Sequence, residues 1–110
     1  MRAALDHLVD LGHERVAFVG DLAKADVRER AAAFGERFDD VAAVRNTPQD
    51  GSDALDRLLA RPAPPTAVAA ATDVLAFGIL HRAAALGLHA ERSFADIVRA
   101  YLADNPATGR

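Results

Sequence analysis

The side chains that could do chemistry are four histidines, a few acids just past apolar runs, and an arginine inside an amphipathic stretch. His7, His13, His81 and His89 have no metal-ligand spacing, and neither a cysteine nor an acidic cluster joins them. Structural roles are expected for all four. His13 follows Gly12 at a predicted helix end, where an imidazolium would complement the dipole. Val19-Gly20-Asp21-Leu22 lacks the repeated glycines of a dinucleotide-binding turn, and no Gly-x-Ser-x-Gly elbow occurs. The expectation is a non-enzyme that uses no metal and no cofactor. Arg30 presents a planar fork of donors suited to vicinal oxygens, although Asp26, four residues earlier, could pair with it on a helix surface. Asp21, Thr72 and Asp73 each follow a short apolar run. In an open α/β sheet that is the edge where ligands bind, but Thr72 or Asp73 could equally cap a helix.

Those positions have meaning only on elements that bring them together. Ala4, Leu5, Leu8 and Leu11 recur at helical spacing, with Gly12 as the C-terminal stop. Arg15–Gly20 reads as a buried parallel strand, and helical periodicity returns through Val27, Ala31, Phe34 and Phe38. A second strand is predicted over Asp40–Val44, followed by a loop from Asn46 to Gly51 and a helix capped by Ser52. Prolines at 62, 64 and 65 end that helix. Thr66–Ala71 is a third strand, and a helix runs from Thr72 or Asp73 to Gly87. Phe94, Ile97, Val98, Tyr101 and Leu102 have helical spacing, which predicts a C-terminal helix where a further strand would be usual. The resulting expectation is a three-layer α/β/α fold with a short parallel sheet of about three strands. One domain is expected over 1–104, with a frayed tail over 105–110.

Composition narrows the function classes. With 51% hydrophobic and 26% charged residues in 110, the chain is globular rather than disordered. The net charge of −3, with no Lys/Arg block, argues against direct DNA contact by these residues. Met1–Asp10 carries charges within its apolar pattern, which argues against a signal peptide or membrane span. A cytoplasmic protein is expected, and the lack of cysteine is compatible with a reducing compartment.

Three stretches, Asp6–Gly20, Arg28–Phe34 and Pro64–Gly78, resemble in order and spacing the effector-binding domain of LacI/GalR-type transcription regulators. Leu11-Gly12-His13 leading into an apolar strand, Arg28-x-Arg30 opening a helix, and Pro65-Thr66-Ala67 leading to Asp73 and Gly78 carry the likeness. It spans 6–88 and implies half of a periplasmic-binding-protein-like, flavodoxin-like fold. It also implies that Arg30 faces a cleft between two lobes and grips effector hydroxyls. Thr72 stands where the family has a ligand-contacting asparagine, beside Asp73, and Asp21 lies on the same edge. The helix carrying Phe77 helps pair two sensor domains in such regulators, so a homodimer through Phe77 is implied. After Leu88 the sequence departs from the family's acidic ligand strand, and Met1 stands just ahead of the match, where the family has a DNA-binding helix-turn-helix and another lobe.

The leading expectation is therefore a partial, truncated effector-sensing domain of a LacI/GalR-type regulator. It is expected to lack the helix-turn-helix, to be weak or inactive toward a sugar or nucleoside effector, and to form a dimer. The alternative is a stand-alone dimerisation or protein-interaction module derived from that domain. An enzyme of flavodoxin-like topology would need a Mg²⁺-binding acidic cluster, for which Asp21 and Asp73 are the only obvious acids at strand ends.

Overall fold

The computed structural model describes residues 2–94 and 97–101, with side chains over 5–88. The elements run α1 (Arg2–Asp10), β1 (Val16–Gly20), α2 (Ala25–Phe34), β2 (Asp40–Ala43), α3 (Pro48–Leu59), β3 (Ala67–Ala70), α4 (Asp73–Ala85), β4 (His89–Phe94) and β5 (Ile97–Tyr101). The sheet order is β2-β1-β3-β5-β4. The first three strands are parallel, with Phe18 opposite both Val41 and Ala69, as the alternation of apolar runs and helices predicted.

β1 is buried at every position because the sheet is covered on both faces. Its alternate side chains enter two cores. Val16 and Phe18 meet Leu5, Leu8, Val27 and Phe34 from α1 and α2. Ala17 and Val19 meet Ala54, Leu55, Leu58, Leu75 and Ile79 from α3 and α4. Three layers result, and the fold class is α/β/α as expected.

The helix ends follow local chemistry. Gly12 adopts φ +89, which lets the His13 N–H reach the Leu8 carbonyl at 3.1 Å. Gly87, at φ +75, closes α4 in the same way, with Leu88 N–H on the Ala83 carbonyl at 2.9 Å. His13 is buried and shares a 2.7 Å hydrogen bond between Nδ1 and the Thr66 hydroxyl. Its structural role is thus to tie the α1–β1 turn to the entry of β3.

Two expectations are corrected. α3 begins at Pro48, one turn before the predicted Ser52 cap. Thr47 is the N-cap: its hydroxyl accepts from Asp50 N–H at 3.0 Å, and Pro48 occupies the first turn, where it needs no N–H donor. The predicted C-terminal helix is also absent, since Ile97–Tyr101 is a strand. β5 pairs antiparallel with β3, Val68 opposite Val98, and β4 pairs with β5. Without β5 the outer edge of β3 would keep unpaired backbone donors and acceptors, and that demand outweighs helical spacing in five residues. The tail predicted over 105–110 lies outside the described residues.

Candidate functional site

From β1 the chain passes to β2 on one side, then returns to β3 on the other side of β1. The carboxyl ends of β1 and β3 therefore flank a topological switch point, where side chains from successive loops converge. Main-chain bonds hold the edge: Ala71 N–H donates to the Val19 carbonyl and Val44 N–H to the Gly20 carbonyl, both at 2.9 Å.

Arg30, half-buried on α2, donates from Nη1 to the main-chain carbonyl of Ala71, just past β3. Among the described residues it forms no ion pair with Asp26, so the local pairing that the sequence allowed is replaced by a contact 41 residues away. The remaining guanidinium N–H groups keep their donor capacity. Thr72 follows directly. Its hydroxyl accepts from Leu75 N–H at 3.3 Å, capping α4, and donates to Asn46 Oδ1 at 2.6 Å. Asp73 is exposed in the first turn of α4, where its charge favours the helix dipole.

Asp21 is half-buried after β1, and its carboxylate accepts from Ala23 N–H at 3.1 Å, shaping the loop into α2. It also lines an open cleft of about 410 Å³ with Arg45, Asp50 and Arg57. The Asp50 carboxyl is held below its ordinary pKa, first by the Thr47 hydroxyl, which donates to it at 2.8 Å, and then by Arg45 at 3.3 Å. Burial opposes the shift and is outweighed.

Arg30 and Thr72 thus converge around Ala71, and Asn46 joins them from the β2–α3 loop. Asn46 was missed as a site residue, although the signal was present: it follows β2 as Asp21 follows β1 and Thr72 follows β3. Guanidinium, carboxamide and hydroxyl groups flanked by carboxylates can donate to and accept from ligand hydroxyls. Among the described residues, no set of His, Asp and Glu side chains could hold a metal ion.

Phe77 lies elsewhere. On α4 it is 63% exposed, stacked on His81 with ring centroids 6.2 Å apart. It borders a hollow of about 260 Å³ with Pro48, Gln49, Ser52, Gly78 and His81. Its ring therefore does not pack inward against the sheet. No described helix is long and apolar enough to cross a membrane.

Residues 5–90 match the family model for the periplasmic binding protein-like domain. The chain is 28% identical over 95 residues to the HTH-type transcriptional repressor PurR of Haemophilus influenzae, covering 77% of this chain and 28% of that protein. A transcriptional regulator structure from Yersinia pestis superposes with a TM-score of 0.75 at 27% identity, covering 82% of this chain and 36% of that one. A LacI family regulator from Enterococcus faecium with bound ribose gives 0.68 at 26%, covering 78% and 35%. The chain spans between a quarter and two-fifths of the length of these relatives.

Proposed function

The chain belongs to the periplasmic binding protein-like domain family, and from that premise we propose that it forms one wall of the effector cleft of a LacI-type transcription regulator. The observation that carries this reading is the meeting of Arg30, Thr72 and Asn46 at the switch point, built from three separate loops and helices. Mixed donors and acceptors suit a neutral polyhydroxylated effector, a sugar or a nucleoside, better than a phosphate, because Asp21 and Asp73 carry negative charge to the same edge. Arg30, Thr72, Asp73 and Asp21 are the assigned contacts. Affinity in this chain by itself is weak, since a small ligand needs most of its surface enclosed and the cleft that Asp21 lines is open. The role is sensing rather than catalysis, in the cytoplasm, and DNA contact is assigned to none of these residues, given a net charge of −3.

A second element of the reading is a homodimer through the outer face of α4. Its support is Phe77, a large apolar side chain left 63% exposed beside Val74 at 38%. Effector binding is tested by isothermal calorimetry with D-ribose, other pentoses and hexoses, and nucleosides. Saturable binding to the parent that Arg30→Ala reduces at least tenfold is expected, from loss of charge-assisted hydrogen bonds of about 1.5–3 kcal/mol. Binding unchanged in Arg30→Ala would refute the assignment of the site.

A further inference from the structure

We propose that the free edge of β2 is a self-association surface, at which a second copy of this chain adds its own β2 antiparallel to this one. β2 is the outer strand of the sheet, with β1 as its neighbour. Val44 N–H donates to the Gly20 carbonyl at 2.9 Å. At the strand's period of two, the main-chain groups of Ala42 and Asp40 face β1 as well, and those of Val41 and Ala43 face the open side of the sheet. The same alternation governs the side chains. Asp40, Ala42 and Val44 are half-buried, the last two against the core beneath α3 and α4. Asp39, Val41, Ala43 and Arg45 are exposed. The exposed row thus reads acid, apolar, apolar, base.

That order is its own complement when reversed. In an antiparallel pair with its twofold axis at Ala42, Val41 lies opposite Ala43 of the second copy. The two exchange main-chain hydrogen bonds, because the groups of both point outward. Asp39 then lies opposite Arg45 of the second copy, and symmetry repeats each contact. These side chains share one face, so the apolar centre carries an opposite-charge pair at either end. Arg45 meets Asp50 through Nε at 3.3 Å with 85% of its side chain exposed, which leaves its terminal nitrogens for the second copy. An in-register parallel pairing would instead set Asp39 beside Asp39 and Arg45 beside Arg45. Edge strands that stay single commonly carry a proline, a bulge or a charge in mid-strand. Val41, Ala42 and Ala43 supply none of these, and their pairing with β1 runs in continuous register.

The strip is short, and an interface below about 1,000 Å² is weak or transient. Self-pairing therefore belongs at roughly millimolar chain concentration. It uses no residue of the α4 face and does not rest on the effector-cleft reading.

The test uses the whole chain carrying Phe77→Glu, so that the α4 face does not contribute. Amide resonances are followed by ¹⁵N NMR from micromolar to millimolar concentration, where those of Val41 and Ala43 should shift along a dimerisation isotherm. Asp39→Arg and Arg45→Asp, each added by itself, set like charges opposite one another at both ends and should weaken association about tenfold. Both positions are exposed, so both variants should melt within a few degrees of the Phe77→Glu chain. An equimolar mixture of the two should regain its association, because every strand end again faces an opposite charge. A mixture that associates no more tightly than either variant alone would overturn the antiparallel pairing. Val41 and Ala43 resonances that stay fixed up to millimolar concentration, or shifts that gather on another face, would rule out β2 as the surface.

Discussion

Gly78 sits where α4 crosses the start of α3, and replacing it with alanine sets two effects of opposite sign against each other. In an exposed helix interior, Gly→Ala stabilises by about 1 kcal/mol through backbone entropy. Here a Cβ on Gly78 would lie 2.0 Å from the Pro48 carbonyl oxygen and 3.0 Å from the Pro48 Cα. A carbon and a carbonyl oxygen approach no closer than about 3.3 Å even in a favourable C–H···O contact, so the shortfall exceeds an ångström. The obstructing atom is main chain and cannot rotate aside. Gly51, facing the other way, would place its Cβ 2.6 Å from the Leu75 carbonyl oxygen, so sliding one helix along the other gives no relief. Overpacking of this kind costs about 3 kcal/mol, the upper part of its usual range, leaving a net loss of about 2 kcal/mol. At about 4–8 °C per kcal/mol, Gly78→Ala should melt about 8–16 °C below the parent by circular dichroism. Gly35→Ala is the matched control. Gly35 has φ −63 and its nearest obstructions are at 3.4 Å, so alanine there should raise stability by about 0.4–1 kcal/mol. A Gly78→Ala protein as stable as the parent, or more so, would refute the steric argument. The same variant should weaken effector binding, because Asn46 lies just ahead of α3 and Thr72 caps α4, and forcing the helices apart separates that pair.

Asp50→Asn should show a pH-dependent defect. The folded carboxyl titrates below its ordinary value of 3.8, so its stabilising contribution is complete above that value and disappears as pH falls through the lowered one. The melting temperature of Asp50→Asn should therefore trail the parent near neutral pH and converge with it in strong acid; a gap that persists unchanged into acid would reject the assigned cause. Phe77→Glu should leave the melting temperature of the monomer within a few degrees, because the side chain is exposed, yet shift sedimentation toward monomer across a concentration series. A parent that sediments as a monomer at every concentration would dispose of the α4 dimer.

Much of the fold was legible because the signals were local. Runs such as Val16–Gly20 and Ala67–Ala70 are apolar on both faces, and such a strand needs a helix on each side of its sheet. Gly12 and Gly87 mark the turns that end α1 and α4, and both take the positive φ expected of a glycine stop. The Thr47-Pro48 start of α3 was equally local, but a proline was read as a loop when it served as a first-turn residue.

What local spacing could not supply was the partner of each element or side chain. Ile97–Tyr101 has helical periodicity, yet the open edge of β3 draws it into the sheet; that edge exists only after β1, β2 and β3 have assembled. Arg30 had an acceptable neighbour in Asp26 four residues away, and the tertiary structure gave it Ala71 instead. Asn46 and Thr72 lie 26 residues apart, and nothing between them in sequence indicates that they touch. The sequence by itself determined the order and type of the first seven elements and the edge where chemistry would gather. Only packing decided which side chains meet on that edge, because a 2.6 Å hydrogen bond depends on the separation of two strand ends and no periodicity encodes that distance.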